Sequence, residues 1–270
     1  MGIYLISFLG YLILTTHPHR TIGTLSTSLL MIGFLLHSLG LFLRWRETHQ
    51  TGYGYVPLSN MYESLIFFSW TIVFIYLILE FKYKQKIIGV FIIPFAFLAI
   101  ALTSIIPGIN AKITPLVPAL QSNWLAIHVI TCFLGYASFA VSFGISVLYL
   151  IRDKDKKDEQ IREHLKWLPE TTILDEINYK AIVIGFPMLT LGIITGAAWA
   201  NYAWGSYWSW DPKETWSLIT WFIYAAFLHA RFTRDWKGKK TAVLSIVGFT
   251  AVLFTYFGVN YLIAGLHSYL

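Results

Sequence analysis

The sequence predicts an all-α protein, a polytopic transmembrane bundle of about eight helices built as one domain over residues 1–270. Three observations predict it. Hydrophobic residues make up 56% of the chain and charged residues only 13%, where soluble domains carry about a quarter charged. Mean hydropathy is +0.60, too apolar for a water-soluble globule of this size to hide. The apolar residues also gather into runs of about 20, the length that crosses a bilayer core. A soluble enzyme, a disordered chain and a nucleic-acid binder are excluded. The net charge of +6 points to no nucleic acid, because the basic residues lie between the apolar runs. One cysteine, Cys132, excludes an intramolecular disulfide, a redox pair and a cysteine-built metal cluster.

The elements follow in order. Residues 3–15 are short for a span and read as an interfacial or tilted helix. They lack the basic flank and cleavage site of a signal peptide, so they are kept in the mature chain. Full-length runs fall near 21–43, 62–81, 87–106, 124–151, 180–200, 214–231 and 241–263. Alternate loops divide the 20 basic residues unequally. Sixteen lie at Arg20, Lys82–Lys86, Arg152–Lys180 and Arg231–Lys240; four lie at Arg44, Arg46, Lys112 and Lys213. Positive charge marks the inner side, so both termini are expected on the outer face. The long inner connector 152–179 mixes both signs and reads as a solvated helical link. The outer loops 52–60, 106–123 and 198–214 are poor in charge and rich in aromatics, Gly and Pro. Function is expected there.

Six of the eleven tryptophans lie between 199 and 221: Trp199, Trp204, Trp208, Trp210, Trp216 and Trp221. An interfacial aromatic belt accounts for Trp199 and Trp216. The dense run Trp204-Gly-Ser-Tyr207-Trp208-Ser-Trp210 leaves two readings open, a membrane anchor or a platform for a large planar ligand. Asp211-Pro-Lys-Glu214 reads as N-cap to N3 of the next helix, with Glu214 closing a capping box. That cap fixes the angle at which the aromatic loop meets the membrane.

The stretch Trp204-Gly-Ser-Tyr-Trp208-Ser-Trp210-Asp211-Pro-Lys-Glu214-Thr-Trp216 resembles the "WWD" signature, W-G-x-x-W-x-W-D-x-x-E. That signature marks the haem-handling membrane proteins of cytochrome c maturation. Pro57-Leu-Ser-Asn60-Met-Tyr62-Glu63-Ser64, Trp124-Leu-Ala-Ile-His128-Val and Gly258-Val-Asn260-Tyr-Leu-Ile-Ala-Gly-Leu-His267-Ser-Tyr extend the resemblance to the CcsA/ResC branch, from about residue 20 to the C-terminus. It implies haem b (iron protoporphyrin IX) as bound substrate. It further implies a CcsB/ResB-like membrane partner, and an apocytochrome c carrying Cys-x-x-Cys-His as recipient.

The eight histidines sort by depth. His128 stands in the first turns of its span and His267 follows the last one, both on the outer side beside the aromatic loop. For each, an interfacial hydrogen bond and haem ligation are both open. Two at matching depth favour ligation, since neutral imidazoles bind haem iron in pairs. The resemblance implies the same, as both match the family's external haem ligands. His229 lies near the inner end of its span, where an ionisable residue is costly and usually functional. The resemblance makes it an inner haem ligand whose axial partner comes from the CcsB-like chain, with His17 and His19 as competitors. His37 falls near the opposite face from His229. His49 and His164 read as loop residues, Glu63 as a first-turn acid and Cys132 as a small apolar side chain.

The expectation is a haem exporter and presenter, the haem-handling subunit of a cytochrome c synthase. The haem would rest against Trp204, Trp208, Trp210, Asp211 and Trp216, with its outer site on the periplasmic face of a bacterial plasma membrane or the equivalent side of a thylakoid. A bis-His membrane cytochrome carrying electrons is the rival, and a small-molecule transporter with an aromatic gate is a second. A visible spectrum separates them: without haem absorption the transporter survives, and with haem that never transfers the electron carrier does.

Overall fold

The computed structural model describes residues 1–154 and 167–263, and all regular structure among them is helical. The elements are α1 (Gly2–Ile13), α2 (Arg20–Gln50), α3 (Met61–Tyr83), α4 (Gly89–Ile105), α5 (Asn123–Lys154), α6 (Thr171–Trp204), α7 (Pro212–Arg234) and α8 (Lys239–Leu253). A π turn, Phe254–Gly258, carries α8 into a last short helix, α9 (Val259–Leu262). Each expected run has become a helix. Six segments are long and apolar enough to cross a membrane, namely α2, α3, Lys86–Ile105, α5, α6 and Lys239–Leu262. The chain is an integral membrane protein by this measure. Twelve-residue α1 is only about 18 Å long at 1.5 Å per residue, short of a span as expected. With 23 residues, α7 has the length, but its apolar stretch falls below the other six.

Two boundaries differ from the sequence reading. Helix α6 begins at Thr171, inside the expected polar connector, because Leu174, Ile177, Asn178 and Ala181 recur on one buried face. Amphipathic turns of this kind average out in hydropathy. The rest of that connector, 155–166 with His164, lies outside the described residues. At its other end α6 runs on to Trp204, where Gly205 at φ 76° forms a left-handed cap. Trp199 and Trp204 are thus helical, and the loop proper is 205–211.

Helix α5 is the axis. It packs against α3, α4, α6 and α8, and 72% of its apolar stretch is buried, against 22% for peripheral α2. The α1–α2 hairpin is tied to α3 by the buried Glu80 carboxylate, which accepts from Tyr11 Oη (2.7 Å) and Thr27 Oγ1 (2.6 Å). A buried acid needs such donors. At the same end, Asp175 of α6 pairs with Arg231 of α7 (2.7 Å) and accepts from the Gly238 amide (2.8 Å). That end carries the basic loops. The opposite, aromatic end carries loops 51–60, 106–122 and 205–211, knitted by Arg44 Nη2 to the Ala111 carbonyl (2.9 Å) and by Tyr202 Oη to the Gln121 carbonyl (3.0 Å).

Candidate functional site

At the aromatic end the first turns of α5, the last turns of α6, the loop 205–211, the start of α3 and the π turn line an open-sided cavity of about 190 Å³. His128, Cys132, Trp199, Trp208, Tyr256 and Asn260 are among its walls. His128 Nδ1 lies 2.7 Å from the Gly192 carbonyl oxygen. A carbonyl only accepts, so Nδ1 carries the proton in this contact. A backbone acceptor fixing the tautomer is what metal-binding imidazoles ordinarily have. The ring stacks on Trp199 (centroids 6.0 Å, planes 15° apart). Trp199 is itself only 2% exposed and donates from Nε1 to the Ala119 carbonyl (2.8 Å). The imidazole also lies flat against α6: a Cβ at Gly196 would stand 2.6 Å from Nδ1. Only glycine allows that approach.

The aromatic loop is held by its carboxylates. Asp211 caps α7 by accepting from the Lys213 amide (2.9 Å), and Glu214 closes the capping box as expected. Glu214 does more than cap. Its buried Oε2 accepts from the Ser209 amide (2.8 Å) and the Asp211 amide (3.2 Å), pinning the backbone between Trp208 and Trp210. Trp208 reaches the cavity wall, while Trp210, with φ at 59°, turns outward and is 68% exposed. The two rings meet edge to face at 5.7 Å, as do Trp204 and Trp199 at 4.9 Å. The rings form crossed pairs and not one flat shelf. Trp216 packs on Phe254 of the π turn (4.2 Å). Lys213, in the cap ahead of the 214–231 span, also lines the cavity; burial, opposed by the Asp211 carboxylate, lowers its ammonium to about 8.

The facing wall repeats the device. Asn60 caps α3 by accepting from the Glu63 amide (2.9 Å), and Glu63 Oε2 accepts from the Ser59 amide (2.9 Å) and hydroxyl (2.8 Å). Glu63 is buried and ion-paired with Arg44 (2.9 Å). Tyr256 Oη donates to Met61 Sδ (3.2 Å) and meets Ser64 Oγ. A second cleft of about 550 Å³, between loops 52–59 and 115–126, adjoins the cavity and shares Leu58, Ser59, Leu120 and Leu125 with it.

Of the residues singled out in the sequence, the cavity brings together His128 and Trp208. Trp204, Asp211 and Trp216 are not among its walls: Trp204 packs on Trp199, Asp211 caps α7 and Trp216 packs on Phe254, while Trp210 is exposed. His267 lies outside the described residues. His229 is exposed on the bundle exterior, about 26 Å along α7 from its first residue at 1.5 Å per residue. His37 binds inward, with Tyr4 Oη 3.0 Å from its Nδ1. His19 caps α2, and His17 and His49 are exposed. Trp199, Gly192, Gly196, Glu63, Lys213 and Asn260 join the site without having been singled out as site residues. The four-residue spacing of Gly192 and Gly196 was the readable hint, a small-residue face that lets another helix approach.

The family described as "Cytochrome C assembly protein" matches residues 58–267. The chain is 44% identical to "Cytochrome c biogenesis protein CcsA" of Heterosigma akashiwo, over 84% of this chain and 80% of that protein. It is 41% identical to the protein of that name from Pyropia yezoensis (99% and 94% covered) and 40% identical to that from Gloeobacter violaceus (87% and 87%). Among solved structures, "Cytochrome c Heme Lyase CcmF" shares the fold at a TM-score of 0.71 and 19% identity, covering 95% of this chain but 44% of that one.

Proposed function

This chain belongs to the cytochrome c assembly protein family, and from that membership we propose that it binds haem at the aromatic end and presents it for attachment to apocytochrome c. The observation that carries the reading is His128: its tautomer is fixed by the Gly192 carbonyl and its ring is stacked on Trp199, inside a cavity walled by Trp208. Nε2 is then the nitrogen for iron. His267, a few residues past Asn260 in sequence, supplies the second imidazole. The substrate is haem b, whose propionates meet positive charge at Lys213.

Attachment adds each thiol of a Cys-x-x-Cys-His peptide across a haem vinyl group. The sulfur bonds one vinyl carbon and the proton passes to the other, with no net oxidation. No protein nucleophile is required. The chain's part is to hold the macrocycle in one orientation, keep the iron six-coordinate and give up one axial position to the peptide histidine. The cleft beside the cavity offers that peptide a way in. The sixteen-to-four division of basic residues supports an outer location for the aromatic end and for both termini, in a bacterial plasma membrane or a thylakoid. His229, exposed on the outside of the bundle, suits an inner haem whose second ligand comes from a CcsB/ResB-like chain. A bis-His electron carrier would bury both ligands in its bundle, whereas His128 opens toward the loops.

The test is transfer. The protein and its partner, loaded with haem, are mixed with a reduced reporter apocytochrome carrying Cys-x-x-Cys-His. Covalent haem on the reporter, lost when the peptide cysteines are changed to serine, is expected. Stable haem with no transfer selects the electron carrier, and no haem at all removes both readings.

A further inference from the structure

The walls of the cavity include a buried polar atom with no partner among the described residues. Asn260 donates from Nδ2 to the Tyr256 carbonyl (2.7 Å), which fixes the orientation of its amide. Its Oδ1 is then an acceptor shut away from solvent, and no donor among the described residues reaches it. A buried acceptor left open costs about 1–3 kcal/mol, so its retention on a cavity wall points to a donor that arrives with a ligand.

Depth narrows what that donor is. Tyr256 meets Phe133 of α5 (ring centroids 5.7 Å). Helix α5 runs away from the aromatic end, while the segment from Tyr256 to Asn260 runs toward it. Asn260 lies four residues outward of Tyr256, and His128 five residues outward of Phe133. At 1.5 Å per residue His128 lies about 7.5 Å outward of Phe133, and Asn260, beyond the π turn, lines the same cavity. The π turn contributes to this placement, since π bulges re-aim the residues beyond them and recur at functional sites. Haem bound through His128 needs a second imidazole, and a ligating imidazole nearly always donates its remaining ring N–H to an acceptor such as a carbonyl. His128 already has Gly192 for this purpose. Asn260 is the acceptor without a donor.

We infer that Asn260 Oδ1 receives the N–H of the imidazole that binds iron opposite His128, making Asn260 a positioning residue for that axial position. The inference rests on the bis-imidazole reading proposed above. The position is the one the imidazole of the incoming Cys-x-x-Cys-His peptide takes up, and the chemistry is an N–H donor on an iron-bound ring.

The test uses full-length His267→Gly protein carrying haem, with imidazole and 1-methylimidazole as probes. Both coordinate iron, but only imidazole has the N–H. With Asn260 present, imidazole is expected to bind about tenfold more tightly, the range for one hydrogen bond to a buried acceptor. Asn260→Leu keeps the bulk and removes the acceptor, so the preference should fall to about one while both ligands still bind. A preference that survives Asn260→Leu is steric and overturns the inference. Asn260→Asp, of the same shape with a stronger acceptor, should keep the preference and lower the haem reduction potential, and an unchanged potential counts against the assignment. A Cys-x-x-Cys-His peptide in place of imidazole tests the incoming ring: tenfold weaker binding in Asn260→Leu is expected. If only free imidazole senses Asn260, the peptide's ring is not held by this acceptor and the inference fails. If neither small ligand binds and the spectrum is indifferent to His267, the bis-imidazole reading falls, and the inference with it.

Discussion

In the proposed haem site, single residues would divide the work between holding iron, holding charge and holding shape. Lys213 is the charge. Its ammonium, brought to about 8 by burial, is protonated below that pH and loses its charge as pH rises through it. Haem retention should therefore fall as pH rises through about 8, and Lys213→Gln should start weaker and show a flatter profile. A haem-release titration across pH 6.5–9.5 checks both. Gly196 is the shape. A Cβ there meets the His128 ring at 2.6 Å, so Gly196→Ala should loosen haem binding as severely as a change at the ligand. Histidine at the end of a span was legible because an ionisable side chain is costly there, and the aromatic loop because four aromatics in seven residues exceed an ordinary belt. The spacing of Gly192 and Gly196 hinted at a close approach, but not that the His128 ring fills it, and Asn260 carried no local signal at all.

At the scale of elements, the two cap-and-pin turns Ser59–Glu63 and Ser209–Glu214 make the walls rigid. Each buries a glutamate against the serine amide four or five residues back. The Asp211 cap was readable from the sequence, because capping is a local rule. The Glu63–Arg44 pair was not, because its partner stands on another helix. Asp211→Ala should cost about 1 kcal/mol as a lost cap. Glu214→Ala should do more, freeing the backbone between Trp208 and Trp210 and lowering haem content as well as the thermal midpoint. Trp208→Ala should weaken haem retention severalfold and Trp208→Phe less. Trp210→Ala, changing an exposed ring, should matter less than Trp208→Ala. Equal haem content across this series would leave the tryptophans as a membrane belt.

For the whole molecule, composition and run length made eight helices legible, since a bilayer imposes its thickness on every span. Where α6 begins was not legible, because its first turns are amphipathic and packed against α5, α7 and α8. The bundle separates two levels by most of a membrane. His229 stands about 26 Å along α7, too far to share an iron with His128. Two haems per complex with the CcsB-like partner, falling to one in His229→Ala while the outer site still binds added haem, is expected. One haem in both, with normal cytochrome assembly, reduces His229 to a helix-end residue. The central claim remains that His128 holds haem iron at the aromatic end, and the visible spectrum of purified His128→Gly protein tests it most directly. The low-spin bis-imidazole bands and cytochrome assembly should be lost, and both should return in part when added imidazole fills the vacant position. A His128→Gly protein with undiminished low-spin haem and full assembly would contradict it.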